Sequence, residues 1–138
     1  MALLLSPMVH AHRLLFPRLK RVSPYEKGNL LAEARRLNRS GYHTAAVATA
    51  RAAVERRLRE MAYARPEWVR PKGSHGVSAT ARFLFSLGCF NVRTKCLIDS
   101  FADKANRVVH GGVTNRRSAR ALIWRAAQVC SLLEGGAV

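Results

Sequence analysis

Apolar positions recur at steps of three and four along most of the chain, the signature of amphipathic helices. Leu30, Leu31, Ala34 and Leu37 form the first such stripe. It follows Ser23-Pro24-Tyr25-Glu26, which reads as a serine N-cap, a proline at the first helical position and a glutamate at the third. Ser40-Gly41 ends this helix. A second helix is predicted from about Tyr42 to Ala62. Val47, Ala50, Val54, Leu58 and Met61 line one face, and Arg51, Glu55 and Arg59 step by four along another. So short a stop folds the first two helices into an antiparallel hairpin.

Residues 65–77 carry Pro66, Pro71, Gly73 and Gly76 and read as the one long loop. Ser78 is expected to open a short apolar helix through Ala81, Phe83, Leu84, Phe85 and Leu87, closed by Gly88. Asn91 caps a longer helix from about Val92 to Val109, and Gly111-Gly112 ends it. Thr114 is expected to cap the last helix, whose core stripe is Ala119, Leu122, Ile123, Ala126, Cys130 and Leu133. No segment alternates with period two for long enough to make a strand. The expected fold is all-α: four main helices plus a short one, arranged as antiparallel hairpins around one core.

Composition adds limits. The 138 residues suit one domain, and a hydrophobic content of 49% is enough for a core. No window approaches the roughly 18 apolar residues of a membrane span. Cys89, Cys96 and Cys130 cannot all pair within one chain and include no C-x-x-C, so they read as small core residues in a reducing, cytoplasmic setting. Residues 1–22 read as a basic N-terminal arm, free of acids and carrying Arg13, Arg18, Lys20 and Arg21. Residues 23–138 read as the helical domain. The formal charge of +16, with 24 Lys+Arg against 8 Asp+Glu, favours a polyanionic partner, nucleic acid before anionic membrane.

Candidate chemistry concentrates on the helix at 92–109. Leu97, Phe101, Ala105 and Val108 make its apolar side, and Asp99, Asp103, Asn106 and His110 its polar side. The polar row ends in an amide and an imidazole one turn apart, beside the guanidinium of Arg107. Imidazole moves protons near neutrality, and guanidinium binds phosphate as a fork. The plain alternative is a wet helix face, with His110 favoured at the C-terminus by the helix dipole.

Two runs resemble the signatures of HEPN-type domains. Leu31-x-x-Ala34-x-x-Leu37-x-x-x-Gly41-Tyr42-x-x-Ala45-x-x-x-Thr49-Ala50-Arg51-x-Ala53-Val54-Glu55 is similar to their first helical hairpin. Ala105-Asn106-Arg107-Val108-Val109-His110-Gly111-Gly112 resembles their second signature. The likeness covers about residues 25–135. It implies a HEPN-like helical bundle that pairs with a second copy as a homodimer. It also implies a metal-independent endoribonuclease that needs no cofactor and leaves cyclic phosphate ends. By position, His110 would help the RNA 2′-hydroxyl attack the adjacent phosphate. Asn106, Arg107 and Lys104 would complete the catalytic set. The chain departs from the family pattern, which expects an arginine at 103–105. Asp103, Lys104 and Ala105 stand there, so only Lys104 is basic, and it offers a point charge rather than a fork.

Two functions therefore stand side by side. One is RNA cleavage by His110. The other is a non-catalytic helical module that docks on a protein, such as an antitoxin, or on a ribonucleoprotein. Convergence of Lys104, Asn106, Arg107 and His110 in one cleft would favour the first. Arg51, Arg65, Arg70, Lys72 and His75 are the expected RNA contacts, and Glu55 the residue that orders the site from the second helix. Trp68 is expected to anchor the long loop, and Trp124 to pack beside the core stripe of the last helix. The His, Cys and carboxylate positions form no ligand cluster that predicts a metal.

Overall fold

The computed structural model describes residues 26–68 and 76–135. Five helices account for most of them: α1 (Glu26–Arg39), α2 (His43–Tyr63), α3 (Val77–Ser86), α4 (Val92–Val109) and α5 (Arg116–Glu134). No strand occurs among the described residues. The expected serine cap at residue 23 and the arm at 1–22 lie outside them.

α2 is the shared partner, packing against each of the other four helices. Its buried residues are Ala46, Val47, Ala50, Ala53, Val54, Leu58 and Ala62. At 100° per residue these cover an arc of about 180°, wider than a single stripe. Four of the seven are alanines, so neighbouring helices can approach the α2 backbone closely. The α5 stripe is buried at Ala119, Leu122, Ile123, Ala126, Cys130 and Leu133 as its spacing predicts, with Val129 added. From α4, Ile98, Phe101, Ala102 and Ala105 complete the core, and Phe101 is among the largest fully buried side chains.

The helix ends follow local chemistry. Asn91 caps α4, its side-chain oxygen accepting from Thr94 N at 2.9 Å. The cap of α5 is Asn115, one residue later than the expected Thr114. Asn115 has extended backbone, and its longer amide reaches Ser118 N at 2.8 Å. The Thr114 hydroxyl comes only within 3.5 Å of the Asn115 carbonyl. α3 starts at Val77 rather than Ser78, because Val77 is itself buried in the core. The turn closing α1 has the paired backbone bonds of a Schellman motif, Tyr42 N to Leu37 O at 2.9 Å and Gly41 N to Asn38 O at 3.2 Å. It needs glycine at its left-handed position, where Gly41 has φ +93°.

One buried amide ties three helix ends together. Asn38, at the end of α1, is 5% exposed. Its Nδ2 donates to the carbonyl of Arg116 at the start of α5, 3.0 Å away. That leaves Oδ1 facing His43 Nδ1 at the start of α2, at 2.6 Å. An amide oxygen only accepts, so His43 Nδ1 carries the proton. Asn38→Ala is expected to lower the unfolding free energy by about 1–3 kcal/mol, because it removes both bonds of the bridge and takes the acceptor from the His43 N–H. Asn91→Ala is expected to cost about 1 kcal/mol through its cap. Urea unfolding checks both, as a fall in midpoint at constant slope. An Asn38→Ala midpoint equal to wild type would mean the bridge contributes nothing.

Candidate nucleic-acid interface

The end of α4 is built around a second Schellman turn. Gly112 N donates to Arg107 O at 2.8 Å, and Gly111 N to Val108 O at 3.3 Å. Gly111 has φ +107°. A Cβ on Gly112 would lie 2.4 Å from the Arg107 carbonyl oxygen, so both glycines are required. His110 is the helix C-cap and is exposed. Arg107 is held by Asp103 at 2.8 Å, an exposed pair one turn apart. Asn106 is half-buried, and its Oδ1 has no hydrogen-bond partner among the described residues.

Among the described residues, an opening of about 380 Å³ between α4 and α5 gathers two of the four expected catalytic residues. Lys104 and Arg107 line it, whereas Asn106 and His110 are not among its lining residues. Helix geometry explains the division. Two residues make about 200° of turn, so Lys104 and Asn106 leave α4 in nearly opposite directions. Arg125 of α5 joins Lys104 and Arg107, with Ser118 and Thr114 supplying hydroxyls. None of the residues lining this cleft is acidic.

A second groove, of about 270 Å³, lies between α1 and α5. Arg35 and Arg39 from α1 face Arg116 and Arg120 from α5 across it, with Trp124 beside them. No acid lines this groove either. The Asn38 bridge to the Arg116 carbonyl holds its two walls together. Trp124 is 61% exposed, so it does not pack beside the core stripe as expected. The helical stripe seats its neighbour Ile123 inward and turns the indole toward α1. Arg125 lies over the indole ring at 5.8 Å. Arg116, Arg120 and Trp124 recur at intervals of four, as do Arg35 and Arg39. That spacing, read as a basic and aromatic stripe, is the signal that points to this groove from sequence.

The remaining expected residues are dispersed. Arg51 is half-buried on α2, and its Nε has no hydrogen-bond partner among the described residues. Glu55 pairs with Arg59 on its own helix at 2.6 Å. Arg65 is exposed just after α2. Arg70, Lys72 and His75 lie outside the described residues. Trp68 anchors the chain after α2 as expected, edge-on to Phe83 at a ring separation of 4.7 Å. Among the described residues no three His, Cys, Asp or Glu gather where they could hold a metal. No helix among them is long and apolar enough to cross a membrane.

The cysteines divide. Cys89 and Cys130 are buried, whereas Cys96 is exposed, contrary to the expectation that all three are core residues. Cys96 sits on α4 between the half-buried Lys95 and Leu97 and faces away from the core. Burial pushes the Cys130 thiol up to about 11; the carboxylate of Glu134 adds to the rise and Arg57 opposes it. No protein-family model, curated protein or solved structure matches the chain.

Iodoacetamide at about pH 8 attacks thiolates, so it is expected to alkylate Cys96 in the folded chain and to reach Cys130 only after unfolding. Mass mapping of the adducts checks this, and equal native rates at the two sites would contradict the packing. Gly112→Ala is expected to destabilise the chain by about 1–3 kcal/mol, since the Arg107 carbonyl must move to admit the methyl group. A thermal unfolding scan reads it, and an unchanged midpoint would show that the turn relaxes freely.

Proposed function

We propose that this chain is a helical RNA-binding domain that holds single-stranded RNA in the arginine groove between α1 and α5. The carrying observation is the composition of that groove: four guanidinium groups, no carboxylate, and an exposed indole. Single-stranded RNA presents phosphates and unstacked bases in alternation. Guanidinium forks take the phosphates, and the indole offers a face on which a base stacks. A duplex keeps its bases stacked and leaves Trp124 without a partner. The net charge of +16 supports the same class of ligand.

The resemblance of the two signature runs to HEPN domains supports an RNA target independently of the groove. It also carries the cleavage reading through His110. Within one chain, Lys104 and Arg107 open toward a cleft that His110 does not line. Cleavage would therefore need a second copy to complete the set. Binding needs only the groove that one chain already forms, and it is the function this geometry favours.

The test is filter retention of a short single-stranded RNA across a salt series, in EDTA. Trp124→Ala is expected to weaken retention by about 1–3 kcal/mol, roughly 5- to 150-fold. Arg120→Gln is expected to reduce the slope of log affinity against log salt by about 0.7, the value of one phosphate contact on a single strand. His110→Ala is expected to leave retention unchanged and the RNA intact. Trp124→Ala binding like wild type would remove the groove from the function. Cleavage by the native chain that His110→Ala abolishes would make the protein a ribonuclease instead.

A further inference from the structure

We infer that the cleft between α4 and α5 is a separate binding site for a phosphorylated nucleoside. This goes beyond RNA retention in the α1–α5 groove and does not depend on it. Lys104 and Arg107 from α4 and Arg125 from α5 line the cleft, and the Arg125 guanidinium also lies over the Trp124 ring at 5.8 Å. Asp103 pairs with Arg107 but is not among the residues lining the opening. Lys104 and Arg125 therefore meet an incoming anion with no acid facing them. The rest of the lining includes the edges of two core side chains, Val108 and Leu122, at the floor of the cleft. Val113 also lines the opening and is 99% exposed, an aliphatic side chain left open to solvent among the described residues.

A ligand that fits must therefore be anionic at one end and flat or apolar at the other. A bare phosphate leaves the apolar surface wet. A wholly apolar molecule leaves three cations facing it. At about 380 Å³ the cleft lies in the size range of small-ligand sites and accommodates one nucleotide, not a folded partner. The cations would hold the phosphate, and the base would lie against Val108, Leu122 and Val113. The same chemistry is offered by a free mononucleotide and by the phosphorylated end of an RNA strand.

Equilibrium dialysis of the full chain at physiological salt tests the site, with adenosine 5′-monophosphate as the probe. Saturable binding at one site is expected, with adenosine and inorganic phosphate each weaker by about tenfold or more. Lys104→Gln, at an exposed position, is expected to weaken binding about tenfold. Ser118→Leu, which narrows the cleft and keeps the backbone N–H that Asn115 caps, is expected to reduce it as strongly. Arg120→Gln, in the other groove, is expected to leave it unchanged. A 5′-phosphorylated oligoadenylate that binds more tightly than the mononucleotide, and than its 5′-hydroxyl form, assigns the site to RNA ends. Equal affinity for oligonucleotide and mononucleotide assigns it to the free nucleotide. Either result supports the inference. Absence of saturable binding overturns it, as does equal affinity for inorganic phosphate or an equal loss in Arg120→Gln. Failure of the RNA reading shows separately, in the Trp124→Ala retention.

Discussion

The fold depends on one helix being able to touch all the others. α2 buries about half its circumference, and it does so largely with alanine. A larger side chain at Ala46, Ala50 or Ala53 would push a neighbour outward, because close-packed interiors do not absorb added methylenes without strain. The helices around α2 do not surround one another to the same degree, so their outer seams remain open. Two open seams among the described residues flank α5, one against α1 and the other against α4. Both candidate sites are thus consequences of a slender central helix and of where its neighbours stop touching.

What makes those seams chemical is the placement of charge. Several acids are spent inside single helices: Glu33 with Arg36, Glu55 with Arg59, Glu60 with Arg56 and Arg57, and Asp99 with Lys95. These are neighbours one turn apart and do little beyond steadying their own helix. The arginines at 35, 39, 116 and 120 instead look across from one helix to another, with no carboxylate in the groove between them. Asn38 keeps that groove in register, because its amide links the end of α1 to the first carbonyl of α5. A single uncharged, buried contact therefore governs the spacing of four exposed charges.

Much of this architecture was legible in the amino-acid order, where the cause is local. Asn91 reads as a cap because its amide meets a backbone N–H three residues on. Gly41 and Gly111 read as stops because only glycine enters the left-handed region cheaply. The α5 stripe reads as core because its period is helical. The difference between Thr114 and Asn115 as cap turns on one atom of side-chain reach, which composition does not resolve. Trp124 was less legible, since an indole beside an apolar stripe can turn either way. Its exposure depends on where α1 lies, a tertiary fact. The division of Lys104 from Asn106 needs only the helical repeat. A motif read as a linear run conceals it, because neighbours in a motif can be opposites on a helix.

The acid-free seams also bear on the folded chain as a thermodynamic object. Holding four guanidiniums around one groove and three cations around another concentrates like charge that the unfolded chain would disperse. Empty, the native state carries that repulsion as a standing cost against its own compactness. Any anion that binds the native state and not the unfolded one relieves it, and by linkage adds stability that grows with the logarithm of its concentration once that exceeds the dissociation constant. The charge that would draw an anion to these seams is thus also a repulsion that a bound anion would relieve.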